Sequence, residues 1–148
     1  MSSASQPLPG TGTVAVHVVP TQHRSTLLSH LFGFPDATHF ESLVYNWGQT
    51  FIVEGNRDDW EFVRLSNQGL YLFPGRDPAR PVRLKIDGSG FDEEMPSHVA
   101  GIVVTCVALS YLHQMGSEQA HRHTQKLSDY FVRLQSASQI SRALQGLF

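Results

Sequence analysis

The sequence predicts an α+β fold: a small antiparallel meander of three strands, four at most, packed with four to five helices. Three observations predict it. Phe40, Leu43, Val44, Trp47 and Phe51 recur with the spacing of one helix face. Between residues 60 and 86 the apolar period drops to two, with turn residues between the runs. From residue 97 onward the chain reads as helix again, so strands and helices fall in separate stretches.

The elements follow in order. Residues 1–11 are rich in Ser, Pro and Gly and predict a flexible leader ahead of one domain spanning residues 12–148. Thr13 to Val19 is β-branched and ends at Pro20, which predicts a short strand. Thr21 opens a helix carrying Leu27, Leu28, Leu31 and Phe32, stopped by the segment Gly33 to Asp36. The amphipathic helix of Phe40 to Phe51 ends before Gly55 and Asn56. Trp60 to Leu65 and Leu70 to Phe73 form a hairpin around Ser66-Asn67-Gln68-Gly69, where Asn and Gly tolerate positive φ. Val82, Leu84 and Ile86 alternate with Arg83 and Lys85 as a third strand of the meander, ended by Asp87 to Gly90.

Pro96 and Ser97 start a helix that runs to about Met115 and is apolar nearly all round, the mark of a central element. Residues 117–135 are a further helix with Leu127, Tyr130, Phe131 and Leu134 inward. Ser136 to Phe148 adds a short one through Ile140, Ala143, Leu144 and Leu147.

Composition narrows the function. Eleven Lys and Arg against thirteen Asp and Glu leave a net charge of −2 with histidine neutral. Duplex DNA carries one charge per about 1.7 Å of axis, so a protein copying about 40 Å of it would display roughly 20. The balance excludes a DNA mimic and exerts no strong pull on nucleic acid. A single cysteine forms no internal disulfide and suits a reducing compartment. Met1 to Gly12 has no basic residue and no apolar stretch, so no signal peptide is expected, and Val99 to Leu112 is shorter than the ~20 residues of a membrane span. A cytoplasmic protein is expected.

No local motif carries chemistry. His121 and His123 are two apart, which points them to different faces of a helix, and neither HExxH nor CxxC occurs. Cys106 lies among Ile102, Val103 and Val107, where a thiol is inert. The acidic pairs Asp58-Asp59 and Glu93-Glu94 sit near turns. Gly10-Thr11-Gly12 lacks the lysine and helix of a phosphate-binding loop, and no GxSxG is present. No enzyme, cofactor or metal is expected. Trp60, Phe62 and Tyr71, with Arg64, Arg76, Arg80, Arg83 and Lys85 nearby in sequence, leave one alternative: a nucleic-acid-binding regulatory protein of a mobile element.

Four clusters in order resemble the ArdB/KlcA antirestriction family. The first is Val19-Pro20, Arg24 and Phe32-Gly33. The second is Phe40-Glu41 with Val44-Tyr45. The third is Trp60-Glu61-Phe62, Leu65-Ser66-Asn67, Gly69, Tyr71 and Pro74. The fourth is Phe91, Glu94, Ser97, Ala100-Gly101-Ile102 and Ala108-Leu109. The chain departs from the family pattern in Asp58-Asp59, where a small Gly-rich pair is usual, and in Gln68, where the family places the first of two glycines. The resemblance implies an inhibitor of type I restriction–modification enzymes whose partner is the restriction–modification complex, met by protein–protein contact without membrane or nucleic acid. Trp60, Phe62, Gly69, Tyr71 and Gly101 read as architectural. Gly69 suits the tight hairpin and Gly101 lets another backbone approach the central helix. Asp58, Asp59, Glu61, Ser66, Asn67 and Glu94 are the candidates for partner contact.

Overall fold

The computed structural model describes residues 14–53, 59–145 and 147; the expected leader, residues 1–11, and Asp58 lie outside them. In chain order the elements are β1 (Val16–Val18), α1 (Arg24–Phe32), α2 (Asp36–Phe51), β2 (Ile52–Val53), β3 (Trp60–Leu65), β4 (Leu70–Pro74), β5 (Pro81–Ile86), β6 (Phe91–Pro96), α3 (Ser97–Gln114), α4 (Glu118–Phe131) and α5 (Ala137–Gln145). The class is the expected α+β, with five helices and antiparallel strands.

Helix α3 is the axis of the molecule. Its residues from Val99 to Leu109 are all buried, which an apolar circumference demands. Around it pack α2, α4, α5 and β4. The start of α3 is tied down by Ser97, whose N–H donates to Arg80 O at 2.8 Å and whose hydroxyl donates to Pro74 O. The N-terminus of α4 is capped by the Ser117 hydroxyl, which accepts from Ala120 N at 3.1 Å.

The strands divide into two three-stranded sheets, β1-β3-β4 and β2-β5-β6, where the sequence had suggested one meander. The reason lies at the outer edge of β4. There α3 occupies the place a third meander strand would take. The Leu72 N–H donates to the Thr105 hydroxyl at 3.1 Å. Gly101, one turn earlier on α3, makes the approach possible: a Cβ there would stand 2.6 Å from Phe73 Cα and against the Leu72 carbonyl. With that edge filled, β5 pairs with β6, setting Val82 opposite Met95 and Ile86 opposite Phe91, and with β2, setting Ile52 opposite Leu84. Two strands were hidden in the sequence. Ile52 and Val53 continue an apolar helix pattern, and β6 (Phe-Asp-Glu-Glu-Met-Pro) carries acids where its inward alternation should show.

The hairpin turn also differs in detail. Gln68, rather than Asn67 or Gly69, takes the positive φ, +75°. Asn67 instead accepts from Gly69 N and donates to Lys126 O on α4, both at 2.9 Å, so the turn is pinned to that helix.

Candidate functional site

A groove of about 660 Å³ opens where α1, α2 and the start of β3 meet. Strand β1 leaves β3 at Val19, whose N–H makes the last rung to Phe62 O at 2.8 Å. Beyond it the Trp60 carbonyl needs a donor. Arg24 supplies it: Nη1 donates to Trp60 O at 2.9 Å, Nε to Val19 O at 3.1 Å, and Nη2 to Glu61 Oε1 at 2.6 Å. The guanidinium also sits 5.0 Å from the Phe62 ring centroid, within cation–π range. One cation thus finishes a sheet edge and forms the groove floor.

The facing wall comes from α2. Glu41 and Tyr45 are one helical turn apart, so they share a face, and the Tyr45 hydroxyl donates to Glu41 Oε2 at 2.7 Å. Burial raises the Tyr45 pKa well above its ordinary value, and the Glu41 carboxylate adds to this. Asp59 pushes the same way and Arg24 opposes. Tyr45 is therefore a fixed hydroxyl donor at neutral pH. Its ring lies 6.0 Å from that of Trp60. Trp60 seats against α2 because residue 48 is glycine: a Cβ there would stand 2.7 Å from Trp60 Cη2. Asp59 and Arg76, both exposed, complete the rim.

The sequence-derived contact candidates do not form one patch. Asp59 and Glu61 line the groove. Glu61, with a side chain only 16% exposed, is committed to Arg24. Ser66 and Asn67 lie at the opposite end of β3, about 20 Å along a six-residue strand. The Ser66 hydroxyl accepts from Ala15 N at 2.9 Å and ties β1 to the hairpin, while Asn67 holds α4. Glu94 is on the second sheet, exposed, its carbonyl accepting from Gln139 Nε2 at 3.2 Å. Trp60, Phe62 and Tyr71 are buried, as are Gly69 and Gly101. Sequence reasoning placed Arg24, Glu41 and Tyr45 only in signature clusters and missed Gly48. A glycine inside an amphipathic helix was the available signal for the last.

Elsewhere the lone cysteine and His123 are buried. Burial pushes the Cys106 thiol up to about 12. His123 is buried and His121 exposed, on different faces of α4. The His121 ring stacks on that of His113, centroids 4.9 Å apart. Among the described residues no group of three or more His, Cys, Asp or Glu could hold a metal ion, and no helix is long and apolar enough to cross a membrane. The basic residues of the nucleic-acid alternative are dispersed. Arg76 is on the groove rim, and Arg83 makes a two-pronged pair with Asp92 at 2.7 and 2.6 Å.

Comparison with known proteins places this geometry. The family model described as antirestriction protein matches residues 54–145. Two antirestriction proteins KlcA from Escherichia coli are each 34% identical to the chain. One aligns over 99 residues, 67% of this chain and 68% of the relative; the other aligns over 94 residues, 64% and 58%. A solved structure, from work on KlcA and ArdB proteins, superposes with a TM-score of 0.74 at 28% identity, covering 97% of this chain and 99% of that one. Those proteins are described as having a novel fold and antirestriction activity against type I DNA restriction systems in vivo but not in vitro.

Proposed function

The chain belongs to the antirestriction protein family, and from that premise we propose that it relieves type I DNA restriction in the cell by binding protein, performing no chemistry of its own. The observation that carries the proposal is the near full-length superposition on a fold with that activity. The route is surface contact in the cytoplasm, where restriction enzymes meet incoming DNA. Charge supports this route over DNA mimicry. The net charge is −2, and several carboxylates are neutralised within the fold: Glu61 by Arg24, Asp92 by Arg83 and Glu93 by Arg142. A polyanion with duplex spacing needs open, regularly spaced acids. The regulatory alternative has little to stand on, because the aromatic residues it would stack on bases are in the core.

The test is the plating efficiency of unmodified phage on cells carrying a type I system, with and without the protein. Expression is expected to raise plating toward that of modified phage. Soluble, folded protein that leaves plating unchanged would refute the proposal. For the route, the purified protein is expected not to displace DNA from a purified type I enzyme, as a mimic would.

A further inference from the structure

Resting on that function, we infer that the α1/α2/β3 groove is the docking surface, and that its occupant is a loop of the restriction complex presenting an arginine or lysine side chain. Three observations carry this. The groove is the place where clusters far apart in sequence meet: Arg24, Glu41 with Tyr45, and Trp60 to Phe62 are contributed by three separate segments, and Asp59, where this chain departs from the family pattern, lines it beside them. Its floor already shows how it accommodates a guanidinium, since Arg24 is held there by two carbonyls, a carboxylate and the Phe62 ring. That cation is spent internally, which leaves the Asp59 and Glu41 carboxylates on offer, with Arg76 beside them on the rim. Among the described residues Asp59 has no ion-pair partner, and Glu41 is engaged by a neutral hydroxyl rather than a cation.

Charge complementarity then selects the occupant. A complex that handles DNA is rich in surface Lys and Arg, and such a side chain lying outside the DNA path can be engaged without displacing DNA. One such side chain entering between Asp59 and Glu41 meets two carboxylates and the exposed Tyr45 ring, a setting for charge-assisted hydrogen bonds and a cation–π contact. Arg76, across the rim, takes an acidic neighbour of that cation and so fixes orientation. This is a contact with one or two charges, so it is compatible with a protein whose total charge excludes DNA mimicry.

The experiment compares wild type with Asp59→Lys, Asp59→Asn and Glu41→Gln. The readouts are relief of restriction in cells and capture of the assembled type I complex by the tagged full-length protein. Asp129→Lys, exposed on α4 away from the groove, is the control. Asp59→Lys is expected to weaken capture by about tenfold or more and to abolish relief. Asp59→Asn and Glu41→Gln are expected to fall between it and wild type, and Asp129→Lys to match wild type. Each variant is first shown to melt as wild type does. Asp59→Asn, which keeps size and exposure, keeps the test decisive if Asp59→Lys fails to fold. Wild-type relief together with full relief by folded Asp59 and Glu41 variants overturns the docking surface and leaves the proposed function standing. No relief by wild type removes both.

Discussion

Replacing Gly101 with alanine sets two physical effects against each other. Alanine in a helix interior is favoured over glycine by about 0.8–1.0 kcal/mol, so propensity alone predicts a more stable protein. The contact with β4 predicts the reverse. The new methyl would stand 2.6 Å from Phe73 Cα and against the Leu72 carbonyl, and both obstacles are backbone. Neither can rotate away, so α3 must move off the strand edge and stretch the Leu72 to Thr105 hydrogen bond. Overpacking costs about 1–3 kcal/mol, and a backbone obstacle puts this site at the upper end. The net expectation is a loss of about 2 kcal/mol, or a melting temperature lower by roughly 4–8 °C for a domain of this size. Thermal and urea unfolding of wild type and Gly101→Ala measure it, with an unchanged urea m-value showing that the change is one of stability. An equal or higher melting temperature would refute the close-approach argument, because propensity would then have won.

Two further outcomes follow from the same structure. Gln68→Gly is expected to stabilise by about 0.5–1 kcal/mol, because Gln68 holds φ +75° and a non-glycine residue there costs about 1–2 kcal/mol, partly offset by the greater chain entropy of glycine; a lower urea midpoint would contradict this. Stability is expected to fall as pH drops from about 6.5 to 4. Burial lowers both His98 and His123 to about 4, so the unfolded chain takes up protons that the folded one refuses. The contribution is full above pH 6.5 and is lost on descending through the folded value. For His123, which is 3% exposed, it reaches about 3 kcal/mol at the limit. Urea midpoints at pH 7 and 4.5 check it, and His123→Gln should flatten the difference.

Helices were legible in the sequence wherever one face alone was apolar, or every face was. The hairpin was legible because Asn, Gln and Gly interrupt an alternating run and a short apolar one. The division into two sheets was not. It depends on α3 reaching the β4 edge through Gly101 and Thr105, a contact between residues about 30 apart that no local pattern encodes. Strand β6 escaped because Glu93 takes the alternation position between Phe91 and Met95, where it is half-buried and meets Gln139 and Arg142 from α5. At the candidate site, Asp59 and Glu61 were named from sequence, but their company was not. Arg24 was legible only as a member of a signature cluster, and its role arises only where β1 departs and leaves a carbonyl bare. Ser66 and Asn67 looked solvated because they occupy a turn, yet each bonds a distant segment.

The covering of β4 and β6 by helices has a consequence for how the protein behaves at high concentration. An uncovered strand invites another copy to pair with it, and repetition of that event gives self-templated polymers. Here the Thr105 hydroxyl occupies the outward N–H of β4, and the Gln139 amide binds a carbonyl of β6. A side chain that makes one hydrogen bond can thus stand guard where a whole extra strand would otherwise be recruited, so pairing of another copy through β4 or β6 is discouraged.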